Sequence, residues 1–200
     1  MARGSKNAEN IVSAAMELFG RRAYSSVMVK DICEAAGVSH SSFYSVFSGK
    51  DEVLLYVVRG YKDDFEGTMR RLLTIDSDLE KLWVLCAKYL DLPETFGPGL
   101  MSAMFALELG GKLDLTAAVG EYAERYMDWF VRYVVNCQNS GVMRNGGSAA
   151  ALVPIGMRLA YGIVYEWCIA DGGFPLRERV FETLEDLYDV APAHRGVRPG

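Results

Sequence analysis

A short run of hydrogen-bonding side chains lies early in the chain and contains no acidic residue. Residues 39–45 read Ser-His-Ser-Ser-Phe-Tyr-Ser. In a helix, Phe43 would face the protein interior, and the outward residues would all be hydrogen-bonding: His40, Ser41, Ser42, Tyr44 and Ser45. A surface that reads the edges of base pairs needs donors and acceptors without negative charge. The run therefore predicts a surface that can enter a groove of DNA.

Two short helices around a glycine turn would hold this surface in place. The pattern predicts a helix over about 29–36 that ends at Gly37, which suits a left-handed C-cap. Ser39 is expected to cap a second helix over about 40–46, because its hydroxyl can accept from free N–H groups of the first turn. Apolar residues at helical spacing predict a preceding helix over roughly 6–21. Together these elements form a helix-turn-helix pattern.

Charge is divided unevenly along the chain. The 200 residues carry 21 Lys or Arg and 26 Asp or Glu, a net charge of −5. Within residues 1–50, six basic residues oppose four acidic ones, whereas the remaining 150 residues have a net charge of −7. The asymmetry indicates that the N-terminal segment meets an anionic partner, although the negative net charge of the whole chain gives no such indication.

The rest of the chain predicts helices throughout, so the expected fold class is all-α. Half of the residues are hydrophobic and 12% are aromatic, which excludes a disordered chain. Predicted helices cover Lys50–Leu73, Leu79–Leu92, Gly99–Leu109, Leu115–Ser140, Ser148–Ala170 and Pro175 to about Val190. The expected organisation is a helix-turn-helix domain over 1–50, a ligand-binding and dimerisation domain over 51–190, and a flexible tail over 191–200.

The remaining composition argues against metal, disulfide and enzyme chemistry. Four cysteines are widely spaced without a CxxC pair, and the chain has two histidines. We expect buried thiols in a reducing cytoplasm, with no metal and no cofactor. The sequence has no Ser/His/Asp or Cys/His set at useful spacing and no Gly-rich phosphate loop. Residues 149–170 are apolar but contain Pro154, Arg158 and Glu166, so we expect a buried helix and no membrane partner.

Residues 11–58 resemble the DNA-binding domain of TetR-family transcriptional regulators. Three motifs carry the resemblance: AA-x-ELF at Ala14–Phe19, I-x-x-A-A-G-V-S at Ile32–Ser39, and S-F-Y-x-x-F-x-x-K-D-E-x-L at Ser42–Leu54. The resemblance implies a homodimer that binds a palindromic operator. It also implies a small-molecule pocket in the C-terminal domain, and usually repression that the bound ligand relieves.

The resemblance also implies roles for individual residues in the head. The expected DNA-binding set is Lys30, Ser39, His40, Ser41, Ser42, Tyr44, Ser45 and Lys50. Tyr44 and Lys50 would contact backbone phosphates, and a phosphate would offset the unfavourable position of a lysine at a helix N-terminus. The sequence departs from the family pattern at Met28, where a Ser or Thr often caps the second helix, and at Ser45, where a larger side chain is common.

The C-terminal domain predicts two further sites. A mostly apolar ligand pocket would be lined by Trp83, Met104, Phe105, Glu108, Tyr122, Tyr126, Trp129 and Tyr165, although ordinary core packing explains each residue singly. A dimer interface would use Leu152, Ile155, Gly156, Leu159, Ala160, Ile163, Val180, Leu184 and Leu187, unless these residues are buried within one chain. The small Gly156 and Ala160 would allow close approach across a two-fold axis.

Two other functions remain open at this point. The first is a helical-bundle protein that binds or converts a small molecule without a DNA-binding role. The second is a structural adaptor that uses the apolar C-terminal faces. A ligand-responsive repressor accounts for more of the sequence than either alternative.

Overall fold

The helices of a computed structural model account for most of the chain. The structure describes residues 2–61 and 65–199, with side chains over 6–60, 67–114 and 126–199. Its α-helices are α1 Ala2–Arg21, α2 Val29–Ala36, α3 His40–Tyr44, α4 Lys50–Tyr61, α5 Phe65–Leu72, α6 Asp78–Leu109, α7 Leu115–Asn139, α8 Ala149–Ile169 and α9 Leu176–Leu187. The described residues contain no strand, and a single isolated bridge joins Met143 to Val190. The all-α prediction is confirmed.

The helix-turn-helix forms as the local signals predict. Gly37 ends α2 with φ 65° and ψ 32°, a left-handed conformation that glycine adopts without a Cβ clash. Ser39 caps α3, because its Oγ accepts from the backbone N–H of Ser42 at 3.1 Å. Helix α1 packs against α2, α3 and α4. Its buried face contains Ile11 and Ala15, which are fully buried.

Other helix boundaries differ from the predicted ones. The predicted helix Lys50–Leu73 is seen as α4 and α5, and residues 62–64 between them lie outside the described residues. Helix α6 continues through Pro93, where we predicted that it ends. Its non-helical residue is Gly97, with φ 71° and ψ 168°. A proline removes one helical N–H donor but does not always end a helix, whereas the conformation of Gly97 is incompatible with one.

The chain divides into two compact units that interrupt each other along the sequence. Unit 1 comprises residues 1–62 and 96–119, and unit 2 comprises 63–95 and 120–200. The predicted boundary after residue 50 differs from this division. Unit 1 contains the helix-turn-helix head together with α4 and the second half of α6.

Unit 2 is built around α8 and α9, which pack against each other. By length and composition, α8 could cross a membrane. One side of α8 is buried within unit 2, including Val153, Val164 and Trp167. Such packing is what we expect of the core helix of a helical bundle.

The C-terminal residues pack on α9, whereas we predicted a flexible tail. Residues 192–194 form a short 3₁₀ turn. The backbone N–H of Gly196 donates to the Glu185 carboxylate at 2.9 Å, and Arg198 donates to the same carboxylate at 2.6 Å. Arg198 also bonds to Glu178 at 2.8 Å and lies over the ring of Phe181. We call residues 191–199 the C-terminal strap.

Candidate nucleic-acid interface

Helix α3 presents a polar surface with an apolar anchor beneath it. Phe43 is fully buried, whereas Tyr44 is 55% exposed. Most of the other predicted contact residues on this element are exposed: Ser39, His40, Ser41 and Ser45, with Ser42 part-buried. The buried ring fixes the rotation of α3, so the hydrogen-bonding side chains point outward.

Contacts within α3 order this surface. The Ser39 hydroxyl lies 2.9 Å from the hydroxyls of both Ser41 and Ser42. The His40 and Tyr44 rings meet edge to face, with centroids 6.5 Å apart. These contacts hold hydroxyl and ring groups in fixed positions, which reduces the entropy lost when such a surface binds a partner.

Lys50 is bonded within the head. Its Nζ donates to the backbone carbonyls of Tyr24 at 2.7 Å and Val27 at 2.8 Å, and lies 4.2 Å from the centroid of the Tyr24 ring. Burial lowers the pKa of Lys50, and neighbouring Asp51 partly opposes this effect. The Tyr24 hydroxyl donates to Asp51. Burial and Asp51 together raise the pKa of Tyr24. The phosphate contact of Lys50 stays a prediction, and it would have to use the third N–H of the ammonium.

The start of α2 combines a predicted basic contact with an exposed apolar residue. Lys30 is exposed. Met28 is 58% exposed, and its backbone N–H donates to Asp31 at 2.8 Å. The same carboxylate lies 3.6 Å from Arg22, whose guanidinium also donates to the carbonyl of Ser26 at 2.9 Å. Asp31 therefore occupies the backbone donor that a phosphate would otherwise use at this helix start.

The residues of the predicted ligand pocket are divided between the two units. Met104, Phe105 and Glu108 belong to unit 1, and Trp83, Tyr126, Trp129 and Tyr165 belong to unit 2. The side chain of Tyr122 lies outside the described residues. Within unit 2, Trp83 is fully buried, while Tyr165 is 54% exposed. Sequence spacing located aromatic residues but could not show which of them share a cavity.

Trp83 combines deep burial with an unsatisfied polar atom. Its ring packs on Phe181, with centroids 5.4 Å apart. Its indole N–H has no hydrogen-bond partner among the described residues. A buried donor without an acceptor costs about 1–3 kcal/mol, so this N–H is a place where a water or ligand oxygen would be favourable.

Unit 2 contains a small cavity that the sequence did not reveal. It has room for about 10 Å³, and its lining includes Cys86, Phe130, Gly156 and Tyr188. None of the eight predicted pocket residues is in that lining. Such a volume holds about one water, far below the size of an effector. Burial raises the pKa of both the Cys86 thiol and the Tyr188 hydroxyl.

Most of the predicted dimer residues are buried within the single chain. These are Leu152, Gly156, Ala160, Ile163, Val180 and Leu184, with Leu187 part-buried. A Cβ on Gly156 would lie 2.8 Å from the Tyr188 hydroxyl and 3.1 Å from Leu184. The close approach predicted across a two-fold axis is therefore made inside unit 2. Ile155 and Leu159 are exposed, at 41% and 38%.

The thiols are placed as the composition suggested. Cys33, Cys86 and Cys137 are buried and Cys168 is part-buried, and no disulfide joins these four described residues. Burial raises the pKa of Cys137 to about 12. Among the described residues, no group of three or more potential ligands could hold a metal ion.

The helix-turn-helix is a motif by which many proteins bind DNA. Residues 11–57 match the family described as bacterial regulatory proteins, tetR family. The match covers the head of the chain, from within α1 to within α4.

The comparisons with individual proteins agree on the head and on the fold. An uncharacterized HTH-type transcriptional regulator of Bacillus subtilis, YwcC, is 37% identical over 78 residues, which are 34% of this chain and 35% of YwcC. The match therefore spans about a third of that relative. The crystal structure of the regulator FadR from B. subtilis with stearoyl-CoA is similar with a TM-score of 0.65 and 21% identity, over 90% of this chain and 97% of FadR. Thermus thermophilus FadR, a TetR-family repressor in complex with lauroyl-CoA, gives a TM-score of 0.61 and 24% identity, over 96% of this chain and 99% of FadR. Both structural likenesses show the fold.

Proposed function

We propose that this chain is a homodimeric cytoplasmic repressor that binds a palindromic operator and leaves it when a small, largely apolar effector binds. The observation that carries the DNA-binding part is the exposed face of α3. It is rich in hydroxyls, contains no acid and is held rigid by the buried Phe43. Two such helices in a dimer would enter successive major grooves about 34–36 Å apart.

The test of DNA binding uses fluorescence anisotropy with duplex DNA from upstream of the chain's own gene and a scrambled duplex, across a salt series. We expect tight, selective binding with a steep salt dependence. Tyr44→Phe and Lys30→Ala should each weaken binding about tenfold, since each removes one contact to the DNA backbone. Arg179→Ala, which removes an exposed cation in unit 2, is the control and should bind normally.

Selective binding that survives both head substitutions would show that α3 is not the contact surface. Equal weak binding to both duplexes calls for selection of bound fragments from the whole genome. If no fragment is enriched, the regulator proposal fails.

The proposed dimer uses the exposed side of α8. Ile155, Leu159 and Ile169 lie along one face of that helix and are exposed by 41%, 38% and 70%. An apolar stripe at this spacing suits packing of the same helix from a second chain. Leu159→Asp should convert the dimer into a monomer in light scattering. Leu109→Asp changes a leucine of unit 1 that is 87% exposed and should leave the dimer intact. A dimer unaffected by Leu159→Asp would place the interface elsewhere.

For the effector, we propose an acyl-CoA thioester as the first class to test. FadR of B. subtilis binds stearoyl-CoA, and this chain shares its fold. In this chain, the buried Trp83 N–H supports an effector that brings an oxygen acceptor into an apolar surrounding. Lauroyl-CoA and stearoyl-CoA should release the protein from its operator, while free coenzyme A should not. If both thioesters bind the protein and leave operator affinity unchanged, the coupling between ligand and DNA is absent.

A further inference from the structure

Unit 1 contains a wide cleft whose lining shares only Lys50 with the sites predicted from the sequence. Its walls come from the end of α1 and the turn over residues 20–25, from the start of α4, and from the second half of α6. The cleft is open to solvent and has a volume of about 870 Å³. This volume lies within the range of about 300–1,000 Å³ that small-molecule sites occupy.

The cleft is strongly basic in a chain whose net charge is negative. Its lining includes Arg21, Arg22, Lys50 and Lys112, with Asp51 as the one acidic residue among the described lining. The Asp51 carboxylate already accepts a hydrogen bond from a tyrosine of the same lining. Since the whole chain carries −5, this concentration of positive charge is local, and it favours an anion.

The basic groups differ in how much they are already bonded. Lys50 is committed to two backbone carbonyls, and Arg22 to one carbonyl and the Asp31 carboxylate. Among the described residues, Arg21 pairs only with the exposed Glu17, at 2.8 Å. Lys112 is exposed, and its ammonium has no acidic partner within the described part of the chain. Arg21 and Lys112 are therefore the groups that can bind a ligand, while Arg22 and Lys50 add to the field.

Apolar surface lies between these cations. Phe19, Ala103, Ala106 and Leu107 contribute to the lining. A simple inorganic anion would leave this surface exposed to water. An anion attached to an apolar body would use both parts of the cleft, because burial of its apolar area adds to the charge attraction.

We propose that this cleft binds a small organic anion in which a carboxylate, sulfonate or phosphate is joined to an aromatic or aliphatic body. The site is separate from the effector site proposed around Trp83, which belongs to unit 2. Its occupation requires neither DNA nor the acyl-CoA, so it can be tested independently of the proposed repressor function.

The experiment compares two fluorescent probes with the full-length protein. One is 1-anilinonaphthalene-8-sulfonate, and the other is N-phenyl-1-naphthylamine, which has the same aromatic body without the sulfonate. Lys112→Glu and Arg21→Glu should each weaken binding of the sulfonate at least about tenfold at low salt and leave the neutral probe unaffected. Arg179→Glu makes the same charge change in unit 2 and should affect neither probe.

A variant that fills the cleft fixes the location of the probe. Ala106 is exposed on the cleft wall, so Ala106→Trp should fold normally and weaken binding of both probes. Circular dichroism would confirm that each variant keeps its helices. The proposal is overturned if the sulfonate binds Lys112→Glu, Arg21→Glu and Ala106→Trp as it binds the wild type, since the probe would then occupy another apolar surface. It is also overturned if the wild type binds no sulfonate.

Discussion

The C-terminal strap should stabilise the fold through Arg198, and replacing this residue with alanine tests that role. Arg198 donates to Glu185 at 2.6 Å and to Glu178 at 2.8 Å, and its guanidinium lies 5.1 Å from the centroid of the Phe181 ring. Glu185 is only 5% exposed, so its carboxylate depends on Arg198 and on the backbone N–H of Gly196 as hydrogen-bond donors. The substitution Arg198→Ala removes all three contacts and leaves the acidic residue inside unit 2.

The expected cost can be worked out contact by contact. The buried Glu185 carboxylate loses its charged donor and keeps the Gly196 N–H, and the loss of a donor by a buried acceptor costs about 1–3 kcal/mol. The contact with the Phe181 ring adds about 0.5–1 kcal/mol. The Glu178 pair is exposed and contributes less than about 1 kcal/mol. The free energy of unfolding should fall by about 2–4 kcal/mol, and a protein of this length loses about 2–4 °C in Tm for each kcal/mol. We therefore expect Tm to fall by roughly 5–15 °C.

Thermal unfolding followed by circular dichroism at a fixed protein concentration measures this change. Arg195→Ala is the matched control, because Arg195 lies in the same strap and pairs with the exposed Asp186. It should unfold close to the wild-type temperature. Deleting residues 195–200 should lower Tm at least as far as Arg198→Ala does. If Arg198→Ala and the deletion both unfold like the wild type, the strap does not stabilise the fold, and the reasoning from the burial of Glu185 is refuted.

Three further predictions follow from the geometry. Gly156→Ala should lower the free energy of unfolding by about 1–3 kcal/mol, because a Cβ there would lie 2.8 Å from the hydroxyl of Tyr188 and overpack the core. Gly60→Ala lies on an open helix surface and should raise the free energy of unfolding by about 0.5–1 kcal/mol. Urea unfolding measures both variants, and an equal change in the two would contradict the prediction. Burial raises the pKa of Cys137 to about 12, so at about pH 8 iodoacetamide should label this thiol only after the protein unfolds. Mass spectrometry measures the labelling. Rapid labelling of Cys137 in the native protein would show that this thiol is accessible to solvent. The hydrogen bond from Arg198 lowers the pKa of Glu178, so the stabilisation by this pair is present at neutral pH and is lost as the pH falls through the lowered pKa. The difference in Tm between wild type and Arg198→Ala should therefore narrow between about pH 6 and about pH 3. A difference in Tm that stays constant over this range would exclude a contribution from the ionised Glu178.

The helix-turn-helix could be predicted because its determinants are local. A glycine that must adopt positive φ ends α2, and α3 begins at a serine whose hydroxyl accepts from the backbone N–H three residues later. Phe43 is the apolar residue among polar neighbours on α3, and its burial decides which side of the helix faces the interior. Each of these signals acts within one helical turn, so the sequence alone carries them.

The orientation of α8 could not be predicted for the opposite reason. This helix is apolar on most of its circumference, so periodicity does not distinguish the side that packs on α9 from the side that stays exposed. Gly156 and Leu159 lie three residues apart, yet one faces Tyr188 and the other is 38% exposed. The strap was missed on similar grounds. Its order depends on Glu185, an acidic residue of α9 whose burial no local pattern reveals.

Lys50 shows how a sound electrostatic argument can reach an incomplete answer. A cation at the start of a helix does need negative partners, and the sequence assigned that role to DNA phosphate. In the structure, the carbonyl oxygens of Tyr24 and Val27 already supply partial negative charge at 2.7 and 2.8 Å. Lys50→Ala would therefore disturb the turn between α1 and α2, whether or not DNA is contacted. A loss of DNA affinity in that variant has two possible origins, whereas the exposed hydroxyl of Tyr44 has none of these internal bonds. For that reason Tyr44→Phe, together with Lys30→Ala, is the sharper test of the interface.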